Sequence, residues 1–281
     1  MPPLRFQGHF VLGWKAPQIP FLWIQIKYSQ IGASLMNDFF VQYVPVLAFF
    51  AHLAAFVSYV LEHRQAGRRW TWIGFFLLIG MAFVNWNAVH RFPVYSLYET
   101  FVHVALVLAL CLILSGKIER PQAVLQWGNL LVAVLLGLAL PVLGQFNHDF
   151  YMYQIASVQL FFVLRITAGG ILLYSFLLFA CAWRQQLENT GNSGAETLRR
   201  AKSVLVLAAT VYLGSEFSGT VWCLLGWGDT WHWSSNFFQS TAIFLLLMLP
   251  LHIPPGWKKP GCRTATGSLC TLAAALAIML P

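Results

Sequence analysis

From Ser157 to Ala182 the chain runs through twenty-six residues with a single charged side chain, Arg165. A helix crosses a bilayer in ~20 predominantly apolar residues, so this stretch is long enough to span one. Further apolar runs lie at about 39–61, 71–89, 101–116, 124–143, 202–225, 235–253 and 264–280, each bounded by charge, Pro or Gly. In hydrocarbon the backbone must satisfy its own hydrogen bonds, so such runs are helices. Composition agrees: 58% of residues are hydrophobic and 9% charged, against ~25% charged in soluble domains. The expectation is an all-α integral membrane protein of about eight transmembrane helices. Residues 1–37 form an outer N-terminal segment and 38–281 the membrane domain. Residues 1–30 scatter Pro, Lys and Gln and do not read as a cleavable signal peptide.

The net charge of +8 would suit a nucleic-acid binder, but here it is better explained by orientation. Of seventeen Lys and Arg, twelve fall in the loops 62–70, 117–123, 183–201 (with Lys202 at its edge) and 254–263. Four, Arg5, Lys15, Lys27 and Arg91, fall on the other side. The positive-inside rule puts the first set in the cytoplasm and both termini outside. No nucleic acid is expected as a partner; the bilayer is. The five cysteines form no CxxC and no CxxCH, so they read as packing residues, with no covalently attached haem. No nucleophile triad, phosphate loop or clustered zinc motif suggests a hydrolase, kinase or metalloprotease.

The loop between the sixth and seventh runs reads WGDTWHW, residues 227–233, with Trp222 just upstream. On this topology it lies at the outer face. Trp and Tyr gather at membrane interfaces in any case. Belts are spread around a protein, however, whereas this loop concentrates three indoles in seven residues, which suits a platform for a large flat apolar ligand.

The stretch VWCLLGWGDTWHW (221–233) resembles the tryptophan-rich haem-handling signature WGxxWxWD of cytochrome c assembly proteins of the CcsA/ResC type, with related signatures in CcmC and CcmF. RFPVYSLYET (91–100) is similar to that family's HFPLSNLYES, and LGSEFSGTVW (213–222) to the helix leading into the signature. His252 follows at the spacing of the family's intramembrane histidine. The resemblance covers most of residues 40–281. It implies a multi-pass protein of the bacterial cytoplasmic membrane that carries haem b to the periplasmic side and presents it to an apocytochrome, beside a CcsB-like partner. That would make it a component of a cytochrome c haem lyase (synthetase). Trp222, Trp227, Gly228, Trp231 and Trp233 would cradle the porphyrin, and His252 would ligate iron at an inner site.

Several positions depart from the family pattern. Ser234 replaces the closing Asp, WSSNFF (233–238) replaces WDPKET, and Ile166 stands at the position of one outer histidine, beside Arg165. The second outer histidine has no counterpart before the final AIMLP. His148 and His232 are candidate substitutes, against the plainer reading of interfacial histidines. For the inner site, His63 and His52 are candidate second ligands, with a partner chain as the other source.

Arg165 and Glu216 are the charges expected deep within spans, both ~12–14 Å from the outer face at 1.5 Å per residue. An unpaired charge there costs ~2.5–3.5 kcal/mol or more, so they are expected to pair. The pair is either structural or part of a polar pocket for a haem propionate, a quinone or a proton path. Three functions stay open: haem delivery in cytochrome c biogenesis; a CcsA-like subunit binding b-type haem or quinone in a respiratory electron-transfer complex, beside a multihaem cytochrome c; and a structural anchor.

Overall fold

The computed structural model describes residues 42–115, 122–146, 155–188, 192–228, 235–254 and 260–279. The described residues are 91% helical and contain no strand. The helices are α1 (Gln42–Val60), α2 (Arg64–Val89), α3 (Leu97–Ser115), α4 (Gln122–Ala139, continued by a 3-10 turn at Leu140–Val142), α5 (Ala156–Leu187), α6 (Asn192–Trp227), α7 (Ser235–His252) and α8 (Pro260–Met279). The N-terminal segment 1–37, expected on the outer side, together with His148 and the loop residues Trp231, His232 and Trp233, lies outside the described residues.

Seven of these helices are long and apolar enough to cross a membrane, and α7 falls short. Its apolar part, Phe237–His252, covers sixteen residues, or ~24 Å, against a hydrocarbon core of ~30 Å. The sequence reading expected the third and eighth runs to be the shortest; both reach nineteen residues in the structure. Two helices also begin earlier than their apolar runs. Helix α2 starts at Arg64 and α6 at Asn192, so Arg64, Arg68, Arg69, Arg199 and Arg200 are helical and not in loops. Arg, Lys and Gln are good helix formers, and outside hydrocarbon nothing stops the helix at the last apolar residue.

Helix α5 is the most buried span and the hub of the bundle. It packs chiefly against α6 and α8, then α3 and α4, while α2 leans on α3, and α7 on α8 and α6. Helices in lipid gain little from hydrophobic exclusion and depend on close packing, which small residues permit. Gly170 supplies such a contact: a Cβ there would stand 2.7 Å from the Cβ of Val107 and 3.2 Å from the Val104 carbonyl oxygen. Neither atom is the end of a flexible chain. Gly170→Ala should therefore destabilise the bundle by about 1–3 kcal/mol. Gly80 of α2 has nothing within 4 Å of its Cβ position, and Gly80→Ala should stabilise by up to about 1 kcal/mol. Thermal unfolding of both variants in one detergent checks the pair; equal midpoints would contradict this account of the α3–α5 contact.

Polar pairs tie the helices where apolar packing alone would leave them free to slide. His52 of α1, fully buried, bonds through Nδ1 to Oδ1 of Asn129 on α4 at 2.8 Å, and Thr71 of α2 donates to the same oxygen at 3.1 Å. An amide oxygen only accepts, so Nδ1 carries the proton. His103 of α3 meets Thr167 of α5 at 3.0 Å. Ser115, the last residue of α3, bonds to Tyr174 in the middle of α5.

Candidate functional site

Arg165 lies nine residues into α5, and Glu216 eleven residues before the end of α6. Helix α6 returns along α5, which brings the two together: Arg165 Nη1 donates to Glu216 Oε1 at 2.9 Å. The same Nη1 donates to Ser240 Oγ at 3.0 Å, and Nη2 reaches Gln239 Oε1 at 3.5 Å. Ser240 in turn donates to Glu216 at 3.2 Å. Gln239 and Ser240 belong to α7, so three helices share one polar cluster. Gln239 also donates to the Ala277 carbonyl of α8 at 2.8 Å, drawing in the fourth. The Arg165 side chain is 9% exposed and that of Glu216 31%. The cluster is thus closed around the guanidinium and open at the carboxylate.

Aromatic rings flank this cluster on both sides along the bundle. The Arg165 guanidinium carbon lies 5.3 Å from the Phe161 ring centre, one turn back on α5, and 5.6 Å from that of Tyr212, one turn back on α6. Cation–π attraction adds to the ion pair in such desolvated surroundings. Trp222 leans on Phe161 and Phe162 at centroid distances of 5.9 and 6.2 Å, and Tyr95 meets Phe162 edge-on at 4.9 Å. Gly219 makes room, since a Cβ there would stand 2.8 Å from the Phe161 ring. Helix α6 then ends at Gly228, whose φ of +72° favours glycine and turns the chain out of the helix. The backbone of Trp227 lies in the last turn of α6. Arg165, Glu216 and Trp222 are therefore gathered at one end of the bundle, directly below the start of the WGDTWHW loop.

A second buried ion pair borders this end, and sequence reading missed it. Expecting the third span to begin near 101, it left Glu99 outside. Helix α3 starts at Leu97, and the Glu99 side chain is fully buried. Its carboxylate accepts from Arg91 at 3.2 and 3.3 Å, from the Tyr95 backbone N–H at 2.5 Å and from that of Ser96 at 2.9 Å. Ser96 Oγ accepts from the Glu99 N–H at 3.2 Å. This is the reciprocal capping box, whose S-x-x-E signature stands in the sequence at Ser96–Glu99. Arg91 also stacks over Tyr95 at 4.6 Å, linking this pair to the aromatic rings around Phe162.

At the far end of α7, His252 is exposed and is the last residue of the helix. Its Nδ1 lies 2.8 Å from the Met248 carbonyl oxygen. A carbonyl only accepts, so Nδ1 carries a proton and Nε2 of the neutral ring keeps its lone pair. That is the tautomer and second-shell bond usual for an imidazole that ligates metal. A neutral His252 ring thus offers Nε2 as a single nitrogen donor at the end of α7. His63 caps the start of α2 and is exposed; α2 packs on α3, whereas α7 packs on α8 and α6. His52 is enclosed, its ring edge against Gly74, where a Cβ would stand 2.6 Å from Nε2. Among the described residues no group of three or more His, Cys, Asp or Glu is placed to hold a metal ion. The chain matches no protein-family model and no curated protein.

Proposed function

We propose that this chain is a multi-pass membrane subunit that holds haem b, acting in haem transport and presentation for cytochrome c biogenesis as the CcsA-type resemblance implies. The observation that carries the reading is His252, an exposed residue whose Nδ1 is held by its own helix, which leaves Nε2 for a ligand. His252 would hold the iron, and haem would supply one-electron redox chemistry at that end of α7. With His252 itself exposed, the second ligand would come from a CcsB-like partner in preference to the enclosed His52. On the charge count, His252 lies toward the cytoplasm and the aromatic rings around Trp222 toward the outside of a bacterial cytoplasmic membrane.

Ile166 and Ser234 stand where the family has an outer histidine and an aspartate, so the outer loop would stack haem without fixing its iron. The chain alone should then fail to replace a standard cytochrome c ligase. Robust maturation of a reporter cytochrome c would contradict this and direct attention to His148 and His232.

A second reading, a quinone- or haem-binding subunit of a respiratory complex, is favoured by the Arg165–Glu216–Ser240–Gln239 cluster. It offers donors and an acceptor to a polar ring head beside aromatic side chains, as a quinone requires. Deleting the gene in its host separates the two. Biogenesis predicts loss of covalently bound c-type haem from membranes; the electron-transfer reading predicts normal c-type haem and slowed quinol oxidation.

A further inference from the structure

The other end of α6 carries a shallow, open cleft of about 370 Å³ lined by Leu198, Arg199, Lys202, Ser203 and Val206, with Arg263 from the first turn of α8 at its side. Five cations cluster at this end of α5, α6 and α8, and only two have acidic partners: Arg184 pairs with Glu188, and Arg200 with Glu196. Arg199, Lys202 and Arg263 face the cleft with no acidic partner among the described residues. The Nε of Arg263 is buried there without a hydrogen-bond partner among those residues. Three like charges beside one open cleft repel each other, and an anion seated among them relieves that repulsion.

We propose that this cleft binds the phosphate headgroup of an anionic phospholipid. A lipid is favoured over a free phosphate by what continues from the cleft. Val206 at 50% exposure, Leu213 at 48% and Phe217 at 72% follow Lys202 on one exposed face of α6, with exposed Thr210 between them. From Lys202 to Phe217 the helix rises ~22 Å, enough for an acyl chain crossing a leaflet of ~15 Å. Cationic pockets between helices at a membrane surface bind acidic headgroups in this way, at a gain of about fivefold in retention per Lys or Arg.

The test uses the full purified chain, stripped of lipid in detergent and exchanged with phosphatidylglycerol or phosphatidylcholine of matched chains, with bound lipid counted by native mass spectrometry. Phosphatidylglycerol should be retained at least tenfold better. Lys202→Gln with Arg263→Gln should reduce its retention about tenfold or more, Lys202→Arg should keep it, and Arg184→Gln, already paired with Glu188, should leave it unchanged. Millimolar inorganic phosphate should not displace the lipid. Equal retention of the two lipids by the unmodified chain would overturn the proposal without any variant needing to fold. So would an unaffected double variant, or displacement by phosphate, which would show a site for the free anion.

Discussion

Glu99→Leu should cost the fold about 3–5 kcal/mol, the range for removing one partner of a buried ion pair. The fully buried carboxylate accepts two bonds from Arg91 and two from backbone N–H groups at the start of α3. Leucine leaves the Arg91 guanidinium in a site where Arg91 is only 8% exposed, and takes the acceptor from the Tyr95 and Ser96 N–H groups, leaving only the Ser96 half of the capping box. Glu99→Gln should cost less, because an amide oxygen still accepts from the backbone. Arg91→Leu combined with Glu99→Leu should recover part of the loss, since the stranded charge is gone. Thermal unfolding in detergent reads all three; a Glu99→Leu midpoint equal to that of the parent protein would contradict the buried pair.

The second large effect is asymmetric. Glu216→Leu leaves the Arg165 guanidinium, 9% exposed, with Ser240 and Gln239 as its hydrogen-bond partners among the described residues, and should destabilise by about 3 kcal/mol. Arg165→Leu leaves a carboxylate that is 31% exposed and still bonded to Ser240, and should cost about 1–2 kcal/mol. The double leucine variant should be at least as stable as Glu216→Leu alone. If the cluster also seats a polar ligand head, all three should weaken quinone or haem binding even where the fold survives. Equal losses for the two single variants would contradict the closed-arginine, open-glutamate geometry.

The sequence was most legible where a residue contradicted its surroundings. Arg165 and Glu216 stood out because each interrupts an apolar run, and equal depth from one face predicted the pairing found at 2.9 Å. Glu99 did not stand out, because a window that measures apolarity begins α3 after it; the capping-box spacing of Ser96 and Glu99 was the signal that a pattern of apolar runs ignores. The same blindness moved the starts of α2 and α6 inward, since helix propensity continues past the last apolar residue. Gln239 and Ser240 were not legible at all. They are ordinary polar residues, and only the packing of α7 against α6 brings them to Arg165. The contacts of His52 with Asn129 and of His103 with Thr167 join residues 77 and 64 positions apart, a separation that helical periodicity carries no information about.

The central claim is that His252 holds haem iron. Its most direct test is the reduced-minus-oxidised visible spectrum of the purified chain, with haem quantified per polypeptide, for the parent protein and for His252→Ala. The account predicts a b-type spectrum in the parent, and in the variant a loss of most bound haem that added imidazole partly restores, with membrane insertion unchanged. Unaltered haem content and spectrum in His252→Ala, or a parent protein that binds no haem with its partner present, would contradict it.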